Sequence, residues 1–222
     1  MNKKIQRELY GPSWTEVILG ALLSLLLGVA LAAAFLVFKP VTIARELPAE
    51  PKEGVVYYLE GSRNAAKARL GAGKEQVFLQ GGTIELSEDE LNAWAGENAP
   101  AATQPAPSGN ASGGPAVASS APNFRIRDGV LQIAVPVDIK VLGLNQRVIL
   151  QARGGFEKDG ETWMFEPSEL LVGSCPLQRV PFVQGLVMKR VVAAVNMPDE
   201  VLTAWRGLSN VVVDGSTLRL EG

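Results

Sequence analysis

The chain has 222 residues, a formal net charge of −2, one cysteine and no histidine. The near-neutral balance gives no electrostatic reason to expect nucleic acid as a partner. The missing imidazole removes the commonest general base and the commonest metal ligand, and the lone Cys175 cannot form an internal disulfide and reads as a small buried hydrophobe.

Residues 1–16 are a short leader containing Lys3, Lys4 and Arg7, with Trp14 suited to a membrane interface. From Val17 to Phe38 there is no charge, and Ser24 is the one polar side chain. At a rise of roughly 1.5 Å per residue this run spans about 33 Å, enough for a hydrocarbon core of about 30 Å. Its Leu, Ile, Val and Phe residues, at roughly 0.3–0.6 kcal/mol each, favour insertion by on the order of 4–8 kcal/mol. The sequence predicts a transmembrane helix over 17–38, stopped by Lys39-Pro40. Lys3, Lys4 and Arg7 before the run nearly tie with Lys39, Arg45 and Lys52 after it. A short leader, a first apolar segment and a long following domain together resemble a signal anchor. The expectation is a single-pass protein of the cytoplasmic (inner) membrane, N-terminus inside and the rest extracytoplasmic. Ala30-Leu31-Ala32 and Ala32-Ala33-Ala34 have the form of cleavage sites, but the apolar run continues through Phe38, which favours retention. Gly20, Ser24, Gly28 and Ala32 repeat every fourth residue, a candidate face for homodimerisation within the membrane.

Residues 39–53, with Pro40, Pro48 and Pro51, read as a stalk. The first foldable piece spans 54–97. Val55–Leu59 has strand composition, though it could also start a helix, and Ser62–Leu70 has helix composition. Residues 76–80 (QVFLQ) and 83–86 (TIEL) read as short strands about Gly81-Gly82. Ser87 followed by Glu90 is a capping box opening a helix from Glu88 to Ala95, with Leu91, Trp94 and Ala95 on one side. Residues 98–123 are uncharged Ala, Pro, Ser and Gly with almost nothing large and apolar; they predict a disordered linker, or an insertion within one domain.

From Phe124 onward the texture changes. Asp128-Gly129 is a hairpin signal, and Leu131, Ile133, Val135, Val137, Ile139 and Val141 alternate with more polar residues. This predicts a long strand with one wet face, Pro136 marking an edge or a bulge. A second alternating run covers Val148 to Phe156, and Lys158-Asp159-Gly160 turns into a third. Pro181 opens a helix to Val195 whose apolar arc exceeds the roughly 100° of a surface helix. Pro198-Asp199-Glu200 starts a shorter helix, and a hairpin at Asp214-Gly215 closes the chain. The fold class expected is α+β: an N-terminal transmembrane helix, then a curved antiparallel β-meander over 124–222 packed on one long helix and short helices.

Chemistry is easier to discount than to assign. No serine, threonine or cysteine has a histidine to activate it, and no cofactor or metal motif is present. The Glu88–Glu90 carboxylates are explained by the helix start. Catalytic, cofactor-binding and metal residues are therefore expected to be none. The feature inviting function is apolar surplus. Leu131, Ile133, Val135, Phe182, Leu186 and Met188 are candidates for a groove accepting a lipid tail or another hydrophobic ligand, although the same residues could close as an ordinary core. A domain of this size should build only a narrow groove. The alternative function is a structural or assembly module that binds another envelope protein.

The capped helix LSEDELNAWA, the DG-turned meander, VGSCPLQRVPF leading into a helix and the closing DG hairpin come in an order that resembles the YpmS-like family. These are bacterial single-pass proteins whose extracytoplasmic domains are similar to tubular lipid-binding (TULIP-like) folds. The likeness runs from about Thr83 to the C-terminus, with Glu90-Leu91-Asn92, Gly173 and Pro176-Leu177 as its motif-like points. The uncharged insertion and the broken terminal helices depart from the pattern. What the resemblance implies is association with lipid or with the cell envelope.

Overall fold

Helix α1 (Trp14–Phe38) takes up the whole apolar run. Ser13 and Glu16 cap it reciprocally: the Ser13 hydroxyl accepts from the Glu16 amide at 3.3 Å, and the Glu16 carboxylate accepts from the Ser13 amide at 3.2 Å. No residue of α1 is buried, and apart from the half-buried Ala33, Leu36 and Val37 near its end its side chains are exposed. Among the described residues it is the one helix long and apolar enough to cross a membrane. The computed structural model describes residues 13–64, 66, 69, 73–98, 116–141, 144–177, 183–195 and 197–222. The chain divides into Met1–Val37 and Phe38–Gly222, and every further element belongs to the second unit.

That unit is mixed helix and sheet. Strands β1 (Thr42–Ala44) and β2 (Tyr57–Leu59) form a parallel pair. Helix α2 (Lys74–Leu79), strand β3 (Ile84–Ser87) and helix α3 (Glu88–Glu97) follow. The larger sheet contains β4 (Ala116–Ser119), β5 (Asn123–Arg127), β6 (Val130–Val141), β7 (Leu144–Asp159), β8 (Thr162–Val172) and β9 (Cys175–Pro176). Its order is β4-β6-β7-β8-β9, β5 pairing with β6 beyond the end of β4, and every pairing is antiparallel. Helices α4 (Val183–Val195) and α5 (Asp199–Arg206) precede the hairpin β10 (Asn210–Asp214) and β11 (Thr217–Glu221). β11 pairs antiparallel with β3, so the C-terminal strand binds a strand from the far side of the 98–123 segment.

Residues opposite one another in register share a face. One face of the larger sheet carries Leu131, Ile133, Val135, Val148, Ala152, Leu170, Phe124 and Ile126, all buried. The other carries Gln132, Ala134, Ile149, Gln151 and Leu171, and these are buried as well. The wet face expected of β6 is therefore covered. Its cover is the chain between Val41 and Glu60: Tyr58 packs on Ala134 and Ile149, with Val41 beside them. Side chains of the sheet hold this strap by its backbone. Gln132 Nε2 donates to the Leu59 carbonyl at 2.9 Å, Arg153 to that of Tyr57 at 3.3 Å, and Arg125 to those of Arg45 and Glu60 at 2.7 and 2.9 Å. The residues read as a stalk thus contribute a strand, β1, and the alternation in β6 sorts apolar from amphipathic rather than dry from wet.

Three further expectations change. Residues 76–79, read as part of a strand, lie in α2; Phe78 is buried while Val77 and Leu79 on either side are exposed, the one-sided burial of a short helix. Pro136 sits in an interior strand rather than at an edge or a bulge. Its carbonyl accepts from the Ser120 amide at 2.9 Å, which aims its donorless nitrogen at the break between β4 and β5, where a ladder bond is dispensable. The expected linker overlaps β4, and Pro122 and Asn123 at its end are fully buried. The rest of it, 99–115, lies outside the described residues, as do the leader to residue 12 and residues 65, 67, 68 and 70 of the expected 62–70 helix. The bulge the sheet does contain is between Arg153 and Gly154, where a Cβ on Gly154 would collide with the Glu166 carbonyl.

Candidate functional site

The apolar face of the larger sheet, α3, α4, α5 and the inner face of the β3-β11 pair line a half-open cavity of about 1480 Å³. The sheet supplies Phe124, Leu131, Ile133 and Phe156; α4 supplies Met188, Val191, Val192 and Val195; β3 and β11 supply Ile84, Leu86, Leu218 and Leu220. At one end Phe156 stacks edge-on with Phe165 (5.6 Å between centroids) and lies 5.5 Å from Trp205. The Trp205 indole donates to the Trp163 carbonyl at 2.8 Å, tying α5 to β8. Small-molecule sites enclose roughly 300–1,000 Å³, so this space is large for its domain. It exceeds the narrow groove expected because α3 and β3, from the N-terminal piece, complete the wall.

Polar side chains also line the cavity, and Lys74, Asp89, Glu90 and Asn92 among them are held by bonds within the fold. Ser87 and Glu90 form the expected capping box, the Ser87 amide donating to the Glu90 carboxylate at 2.8 Å and the Glu90 amide to the Ser87 hydroxyl at 3.4 Å. Lys74 Nζ pairs with Glu90 at 2.8 Å and donates to the Glu85 carbonyl at 2.6 Å. Burial pushes the Glu90 carboxyl up, but hydrogen bonds from Lys74 and Ser87 outweigh it and hold the group below its ordinary value. Asp89 accepts from the Ser62 hydroxyl at 2.5 Å and the Asn64 amide at 2.7 Å.

Asn92 is the pivot between α3 and the sheet. Its Oδ1 accepts from the Phe124 amide at 2.7 Å and its Nδ2 donates to the Phe124 carbonyl at 2.7 Å, so one carboxamide pairs with β5 as a neighbouring strand would. Nδ2 also reaches the Ser62 carbonyl at 2.9 Å. Asn123 Oδ1 accepts from the Tyr58 hydroxyl at 3.0 Å and the Gly61 amide at 2.7 Å, joining this network to the strap. Burial, foremost, and the Glu60 charge push the Tyr58 phenol well above its ordinary value, so it stays a donor.

Leu131, Ile133 and Met188 line the cavity. Val135, on the same sheet face, is buried in the packing and is not part of the lining. Phe182 and the side chain of Leu186 lie outside the described residues. Gly20, Ser24, Gly28 and Ala32 recur at every fourth position of α1. The remaining motif-like points are structural: Leu91 is buried, Gly173 has φ of 58°, and Leu177 is buried. Cys175 is buried, and no group of three or more His, Cys, Asp or Glu able to hold a metal occurs among the described residues. Sequence reasoning missed the walls contributed by Ile84, Leu86 and Trp94 and the role of Asn92; the signal was Asp89 and Asn92 on the same side of a helix as Leu91 and Ala95. No protein-family model matches the chain, and no curated protein matches it.

Proposed function

We propose that the protein is a single-pass, membrane-anchored and non-catalytic domain that holds a lipid or another hydrophobic ligand in the cavity between its sheet and helices. The observation that carries this is the cavity: about 1480 Å³ with a predominantly apolar wall. An apolar wall of that extent leaves hydrophobic surface in contact with water unless something covers it, and such a wall is suited to an alkyl chain. In this reading β6, β7 and β8 are a meander curved about α4, the arrangement that the resemblance to YpmS-like and TULIP-like domains implies. Helix α1 serves as the anchor, with the leader cytoplasmic and the second unit outside, in the cell envelope.

The reading is tested on the full chain in nanodiscs supplied with a fatty acid that carries a photoactivatable diazirine on its alkyl chain. Illumination should attach the probe to cavity residues such as Leu131, Met188 and Trp163, and excess unlabelled fatty acid should suppress the attachment. Labelling confined to α1 would remove the ligand site, and would favour the domain as an assembly module for another envelope protein.

A further inference from the structure

The walls of the cavity differ in how firmly they are held. β3 is laddered to β11, and α3 is fixed to its surroundings through Asp89, Glu90 and Asn92. α4 sets Val191 and Val195, both buried, over β6 and β7. α5 contributes Val201, Leu202, Trp205 and Arg206 to the lining, yet Val201 is the one buried residue of its eight and Leu202 is 36% exposed. Among the described residues its side chains make a single hydrogen bond to another element, from the Trp205 indole to the Trp163 carbonyl. None of Asp199, Glu200 and Arg206 forms an ion pair there. Pro198 opens α5 without a side-chain cap and Gly207 closes it. Beyond these two residues the chain is pinned: Val195 and Leu208 are buried, and the Ser209 amide donates to the Glu221 carbonyl at 2.8 Å.

We infer that α5 is a hinged wall of the cavity: it swings off β8 about Pro198 and Gly207, with Trp205 as its latch, and so admits and releases the ligand. The inference rests on the ligand-holding reading above. Few buried contacts and one latch place α5 at the low end of local opening free energies, where lids are found. The residue under the latch favours the same motion. The Trp163 indole N–H is sealed from solvent and has no acceptor among the described residues. A donor stranded in this way disfavours the closed arrangement, and lifting α5 removes one side of its enclosure. The helix itself stays intact as it moves, since the Leu202 amide and the Thr203 hydroxyl bond within it, to the Pro198 carbonyl at 3.0 Å and the Asp199 carbonyl at 2.9 Å.

The test uses the full chain in nanodiscs, as wild type and as Trp205→Phe, which keeps a ring and removes the latch donor. Hydrogen–deuterium exchange should find the amides of 202–206 exchanging about ten-fold faster than those of 91–95 in α3. Trp205→Phe should quicken 202–206 several-fold further and leave 91–95 unchanged. The diazirine fatty acid, flashed at increasing times after mixing, gives the rate of loading, and its displacement by unlabelled fatty acid gives the rate of release. A loosened lid raises both rates several-fold, whereas the loss of a mere wall contact raises release alone. Equal protection of 202–206 and 91–95 in the wild type would overturn the inference, and so would unaltered loading in the variant. Failure here is separable from failure of the ligand reading. Attachment at Leu131 and Met188 with equal loading in both proteins removes the lid alone; no attachment there in either removes the ligand, and with it anything for a lid to admit.

Discussion

Asn92, Gln151 and Glu90 show how much rests on single polar side chains in this domain. Replacing Asn92 by leucine leaves the Phe124 amide and carbonyl and the Ser62 carbonyl without their partner; at roughly 1–3 kcal/mol per stranded group, a loss of about 3 kcal/mol or more is expected in the thermal unfolding of the full chain in detergent. Gln151 poses the opposite case. Its carboxamide is fully buried, and neither its oxygen nor its nitrogen meets a partner among the described residues. Gln151→Met keeps the volume and removes the desolvated amide, so the same measurement should show a gain of about 1–2 kcal/mol. For Glu90 the sign follows from its lowered value: the folded state binds fewer protons than the unfolded one. Its contribution is full above the ordinary 4.5 and is lost as pH falls through the lowered value. Glu90→Gln should accordingly flatten the loss of melting temperature between neutral and acid pH. An unchanged acid limb would assign that loss to other carboxylates.

At the scale of elements, the strap of 41–60 and the long strands set each other's limits. The strands were legible because alternation over more than ten residues, bounded by Asp-Gly turns, has few other readings; Asp128 and Gly129 both have positive φ as such a turn requires. The helix of Glu88–Glu97 was legible through its capping box. Of the strap, β2 was legible in the strand composition of Val55–Leu59, but β1 and the docking on the sheet were not, because β1 has three residues and the bonds that hold the strap down come from Arg125, Gln132 and Arg153 on distant strands. Local composition carries no trace of such partners. Helix α2 reads otherwise for a related reason: three consecutive apolar residues in six suggest a strand until tertiary packing buries Phe78 and leaves Val77 and Leu79 exposed. Tyr58 separates the two contributions the strap makes. Tyr58→Phe forfeits a single hydrogen bond to Asn123, about 1 kcal/mol, whereas Tyr58→Ala opens a void over Ala134 and Ile149 and should cost about 3–5 kcal/mol. Near-equal losses in the two variants would show that the ring contributes little packing.

For the whole molecule, the two features that point to function differ in how far they could be read ahead. The 17–38 run announces a membrane-crossing length by composition alone. The cavity could be anticipated from the apolar surplus of 124–222, but its size could not, since Ile84, Leu86, Leu91 and Trp94 come from sequence on the other side of the 98–123 segment and reach it through the β3-β11 pairing and the Asn92 bridge. What the domain is for turns on whether that space is filled. Gly185 offers a clean block: it lines the cavity, and a side chain added there meets open space. Native mass spectrometry of the full chain released gently from membranes should find the wild-type protein carrying a bound lipid or other hydrophobic molecule, and Gly185→Trp, with unchanged melting behaviour, carrying several-fold less. A wild-type protein free of adducts, or retention untouched by the tryptophan, would contradict a ligand-holding cavity.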